Sequence, residues 1–152
     1  MNGHNTGGIA KIWVFLVEYL VRISYDKSTG YCEPVISLEA EITELSFITD
    51  TGKYSQSPAK ETHGLRYDVK VSCLLRGVNP DNLVTVEKFN NRKVGIIMLD
   101  NNGYYHLAGL PGEGHLFTSA QEPGEDFADR NHININISGT QSKPVTFISN
   151  PF

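Results

Sequence analysis

Apolar residues in this chain recur mainly at every second position, the period of a β-strand with one buried face. The longest such stripe is Leu65, Tyr67, Val69, Val71, Cys73 and Leu75, with Arg66, Asp68, Lys70 and Ser72 between its members. Near the other end, Ile133, Ile135 and Ile137 oppose Asn134, Asn136 and Ser138. Residues 11–25 predict a further strand, with Trp13, Phe15, Val17, Tyr19, Val21 and Ile23 on one face. Within 36–49, Ile42, Glu44, Ser46 and Ile48 oppose Thr43, Leu45, Phe47 and Thr49. Residues 93–99 form an apolar strand that stops at Asp100-Asn101-Asn102-Gly103, where Asn and Gly accept the positive φ of a tight hairpin. Tyr104 to Leu107 returns, and Val145 to Ile148 supplies the last strand.

Between these runs the chain reads as turns and loops. Asp50-Thr51-Gly52-Lys53 is a turn by its chemistry, and 26–34 a loop. Residues 54–64 are polar, contain Pro58 and His63-Gly64, and predict a long loop. Residues 1–10 predict a flexible glycine-rich arm, and 110–130 a further loop. One segment carries helix signals. Asn79-Pro80-Asp81 offers a cap, a Pro at the first helical position and an acid in the first turn. The helix should reach about Phe89, with Leu83, Val86 and Phe89 on one side. The prediction is an all-β fold, an antiparallel β-sandwich or partly open β-barrel of seven or eight strands with one short helix. Its domains are an arm at 1–10 and a single β-rich unit at 11–152.

Composition narrows the function. A chain of 152 residues can bury roughly 70% of its unfolded surface, enough for one self-sufficient core. With 39% hydrophobic and 20% charged residues it is globular by composition. A net charge of −4 argues against sequence-nonspecific nucleic-acid binding, which needs a basic face to release counterions. The apolar run from Ile12 to Val17 is interrupted by Glu18 and followed by Arg22, without a small-residue cleavage site. It is too short to span a bilayer, so cytoplasmic synthesis without membrane association is expected.

Candidate chemistry is sparse. His4, His63, His106, His115 and His132 lack the paired spacing of zinc ligands and read as structural or exposed. Asp100-Asn101-Asn102-Gly103 lacks the alternating acids and distal Glu of a calcium loop and reads as a turn. Gly109, Pro111, Gly112 and Gly114 precede no helix that could hold a phosphate. No nucleophile motif stands out, and Cys73 lies on an apolar stripe where a thiolate is disfavoured. Cys32 and Cys73, the only cysteines, read as small buried apolar groups, with a mutual disulfide as the alternative. Glu122, Glu125, Asp126 and Asp129 form an acidic cluster, read as solvated or as contacting a basic group such as Arg92, Lys93 or Arg130 of a neighbouring subunit. No enzyme, cofactor or metal is expected.

Residues 92–152 run in a recognisable order: a basic-apolar strand, DNNGYYHLAG, HLFTSAQEPGEDFADRNHININISG and KPVTFISNPF. In this they resemble small virion proteins of tailed bacteriophages and prophages of Bacteroidetes-type gut bacteria. KIWVFLVEYLVRI and ITELSFITDTGKY match more loosely, and the glycine-rich start departs from the shorter N-termini expected of such proteins. The resemblance implies a structural subunit of the virion, synthesised in the host cytoplasm. It would form a homo-oligomeric ring in the neck or tail, as a head-tail connector, tail-completion or tube-like ring. Its partners would be portal, connector or tail subunits, with genomic DNA passing the lumen without sequence-specific binding. The alternative from the residues is a small ligand- or carbohydrate-binding β-sandwich, with Tyr104, Tyr105 and Phe117 as an aromatic platform.

Overall fold

The computed structural model describes residues 8–26, 28–61, 64–76, 80–122 and 132–152. They form strands β1 (Ile9–Leu16), β2 (Leu20–Tyr25), β3 (Cys32–Ile36), β4 (Thr43–Leu45), β5 (Lys53–Glu61) and β6 (Gly64–Arg76). After helix α1 (Pro80–Phe89) come β7 (Lys93–Asp100), β8 (Tyr105–Ala108), β9 (His115–Glu122), β10 (His132–Gln141) and β11 (Thr146–Ile148). The protein is mostly β with one short helix, and its strands join in a single open sheet. No described helix is long and apolar enough to cross a membrane.

Strand β7 organises the sheet. One of its edges takes β1, from Ile9 opposite Asp100 to Leu16 opposite Val94. Its other edge is shared: Lys93 and Val94 pair with β9, and Ile96 to Leu99 pair with β8. Two wings leave from this fork, β8–β11–β3–β2 and β9–β10–β6–β5. Strand β4 lies outside β1, and the chain just beyond it meets β6 at one bridge, Phe47 to Leu75. The second wing therefore curls back towards β4 while the sheet stays open, which fits the predicted β-sandwich or partly open β-barrel.

Two cores result, one on each face of the β1–β7 pair. Ile12, Val14, Val94, Ile96 and Met98 point into the larger core with Val71, Cys73 and Ile135, and α1 covers it with Val86 and Phe89. The intervening residues Phe15 and Ile97 point the other way, against Leu20, Cys32, Leu107 and Ile148. Cys32 and Cys73 are buried and free, one in each core.

Several sequence expectations need correction. The N-terminal strand starts at Ile9, itself buried, so the arm does not extend to residue 10. The strand expected over 11–25 is broken by a 3-10 turn at Val17–Tyr19, and β1 is buried on both faces because it lies between two cores. The all-β expectation holds, with eleven strands among the described residues where seven or eight were expected. β3 begins inside the supposed 26–34 loop, β9 occupies part of 110–130, and β5 runs through residues 54–61 of the supposed 54–64 loop. Polarity concealed β5: it is an edge strand, where a solvated outer face and Pro58 are both tolerated. Conversely, 36–49 yields only the three-residue β4. The β6 stripe, α1, the Asp100 hairpin and β10 match their predictions, although Leu65 is exposed and Tyr67 only half-buried.

Pairing of β5 with β6 along its whole length changes one expectation directly. Alternate amides of 54–60 are hydrogen-bonded to β6, so hydrogen exchange of the isolated protein should show an alternating protected set there. Uniformly fast exchange over 54–60 would contradict the strand.

Candidate subunit interfaces

Among the described residues the main strand path ends at β2 and β5, and β4 is a third outer strand beyond β1. Around β2 exposed apolar side chains stand among exposed charged ones, Arg22, Asp26 and Glu33. Val21 and Tyr25 are 58% and 64% exposed, and Leu38 beyond β3 is fully exposed. Beside them a groove of about 540 Å³ is lined by Pro34, Ile36, Leu38, Ala40, Ile42 and Pro151 together with the polar Glu33, Ser37, Ser149 and Asn150. Exposed apolar side chains gathered in this way mark a surface fit for contact with another protein. The β5 edge is polar, with Lys53, Ser55 and Ser57 exposed.

A polar groove crosses the outer face of the β5 wing. Register places Lys53, Ser72 and Asn136 in one row across β5, β6 and β10, and Ser55, Lys70 and Ser138 in the next. These six side chains line a groove of about 750 Å³. A smaller one of about 380 Å³ continues from it past Asp50, Thr51 and Asn134.

Of the residues predicted for an interface, Arg92 and Lys93 are exposed at the start of β7. Glu122 ends β9. Glu125, Asp126, Asp129 and Arg130 lie outside the described residues, as do His4, His63 and the cap Asn79. Lys93 is opposite Leu116, and Glu122 lies six residues further along β9, about 20 Å away. The fold therefore does not bring Lys93 and Glu122 together within one chain.

The aromatic platform is not a single surface. Phe117 is fully buried against Phe89. Tyr105 packs beside Trp13 and Phe152, whereas Tyr104 meets Phe147. Phe147 in turn contacts His106 and Tyr31, giving an exposed aromatic group that strand periodicity did not reveal because it joins β8, β11 and the loop before β3.

Polar side chains mostly secure turns. Asp100 accepts hydrogen bonds from the amides of Asn102 and Tyr104 and lies 2.8 Å from His106 Nε2. Partial burial tends to raise its pKa, but the His106 contact and the two amides outweigh this and hold it below the usual value. Glu113 likewise holds Arg66 at 3.0 Å and both the amide and hydroxyl of Ser142. Burial pushes the Cys73 thiol up to about 12, which disfavours nucleophilic chemistry there. Among the described residues no group of three His, Cys, Asp or Glu could hold a metal ion.

Among the described residues His115 is the one fully buried histidine, and no local pattern pointed to its network. Gln141 Nε2 donates to the Lys143 carbonyl at 2.7 Å, which turns Gln141 Oε1 towards the Gly109 amide and His115 Nε2, at 3.0 and 2.9 Å. Nε2 must then carry the proton, while Nδ1 has no hydrogen-bond partner among the described residues. Burial lowers the pKa, and Lys93 acts in the same direction; Gln141 and Glu113 oppose them. The unfolded chain thus binds a proton at His115 more readily, so this contribution to stability is lost as pH falls through about 6.5 towards the lower folded value. Thermal stability should fall between pH 7 and pH 5, and His115→Gln should flatten that slope. An unchanged slope in the variant would remove His115 from this role.

No protein-family model, no curated protein and no solved structure matches the chain.

Proposed function

We propose that the chain is a structural subunit of a tailed-phage virion, part of a neck or tail ring built by homo-oligomerisation and by contact with other virion proteins. Connector, tail-completion and tube-like rings all fall within this reading, and portal, connector or tail subunits are its natural partners. One observation carries it beyond the resemblance of residues 92–152. Among its outer strands, β2 presents exposed Val21 and Tyr25 beside Arg22, and β5 presents exposed Lys53, Ser55 and Ser57, so the described sheet offers edges of different chemistry. Two unlike surfaces on one subunit are what a heterologous, head-to-tail contact requires, and such contacts close into rings when the rotation between subunits permits. The acidic balance suits a lumen that DNA crosses without adhering. Mass spectrometry of purified particles from a host carrying the gene tests the assignment. The protein should be present in multiple copies per particle. Its absence from intact particles, with abundant protein in the lysate, would overturn it.

A further inference from the structure

The polar groove on the β5–β6–β10 face has a composition that a merely solvated strand face does not require. Lys53 and Lys70 are diagonal neighbours across the β5–β6 pair, roughly 7–8 Å apart at their Cβ atoms. Both side chains are exposed and can direct their ammonium groups into the same groove, where an anion between them would be attracted by both. Among the described residues neither lysine makes an ion pair, and the nearby acids Asp50 and Asp68 engage neither of them. Around the lysines stand Ser55, Ser72, Ser138 and Asn136, all able to donate a hydrogen bond into the groove. Two cations and four neutral donors on one concave surface of about 750 Å³ are suited to carboxylate oxygens.

We infer that this groove receives the acidic segment 122–129 of a second copy of the chain. The inference rests on the assembly reading above and names the contact. Charge complementarity selects the occupant. Segment 122–129 carries Glu122, Glu125, Asp126 and Asp129 and no basic residue, the densest run of negative charge in the chain. A nucleic-acid strand fits less well. The whole chain carries −4, which repels a polyanion at long range, and the only aromatic side chain lining the groove is Tyr54, which packs against the larger core. A short acidic peptide needs only the local field of the two lysines. Groove and segment are different surfaces, so the contact is heterologous and can propagate from copy to copy.

The test compares association of four full-length proteins by analytical ultracentrifugation and native mass spectrometry at low and high salt. Lys53→Glu with Lys70→Glu should weaken association about tenfold or more, as should Glu125→Lys with Asp126→Lys. Both pairs combined in one chain restore complementarity and should recover assembly. Arg92→Glu with Lys93→Glu is the control. If that pair disrupts assembly and the groove pair does not, the acidic segment has a different partner and the inference fails. Assembly indifferent to both lysines defeats the inference and leaves the ring reading intact. A wild-type chain that is monomeric under all conditions defeats both. As a direct probe, a synthetic peptide of residues 120–131 should bind saturably to wild-type protein and lose that binding with the groove pair. Tight binding of duplex DNA that is abolished by the groove pair would instead make the groove a nucleic-acid site and overturn the proposal.

Discussion

Val71→Asp should leave no soluble, folded protein. Val71 is 1% exposed, opposite Tyr54 on β5 and Ile137 on β10, within the larger core. A carboxylate there would stand among the apolar side chains of the larger core, Val69, Cys73, Ile135 and Ile137 among them. Burying it costs several kcal/mol, or protonates it at similar expense. A domain of this size has only about 5–15 kcal/mol in total. Ser72→Asp, one residue along, faces the opposite side of the sheet and lines the polar groove, so its effect on folding should be small. Normal expression and melting of Val71→Asp would refute the position of the core.

Gly95→Val should be the next most damaging change, for a steric reason. Gly95 stands where the shared edge of β7 passes from β9 to β8, directly opposite Phe15 on β1. A Cβ at this position would lie 2.5 Å from the Phe15 ring. That ring is fully buried and has nowhere to retreat. Overpacking of this kind costs about 1–3 kcal/mol, and Val adds bulk beyond the Cβ. The melting temperature should drop by roughly 5 °C or more. Phe15→Leu in the same chain frees space, so the double variant should lose less than the sum of the two single changes. Strict additivity would show that the ring and the glycine do not share this site.

Legibility in the sequence followed burial on one face. β6 and β10 alternate cleanly because each has one face in the larger core and one in solvent, and both were readable. β1 misled because both of its faces are buried, so periodicity assigned a single face to residues that divide between two cores. β5 misled in the other direction: it is polar and exposed enough to resemble a loop, and only its pairing with β6 makes it a strand. The lysine groove was invisible for a related reason. Lys53 and Lys70 are seventeen positions apart, and only the hairpin register sets them side by side. Arg92 and Lys93, adjacent in sequence, were easy to notice, but neither lines the grooves of the β5–β6–β10 face. His115 needed the ends of β8 and β10 to meet around it, a contact that no local pattern encodes.

Electron microscopy of the purified full-length chain, combined with native mass spectrometry over a concentration series, tests the ring subunit most directly. The expected result is closed rings of one copy number that dissociate at high salt. A monodisperse monomer at every concentration and ionic strength, or a symmetric dimer that grows no further, would contradict it.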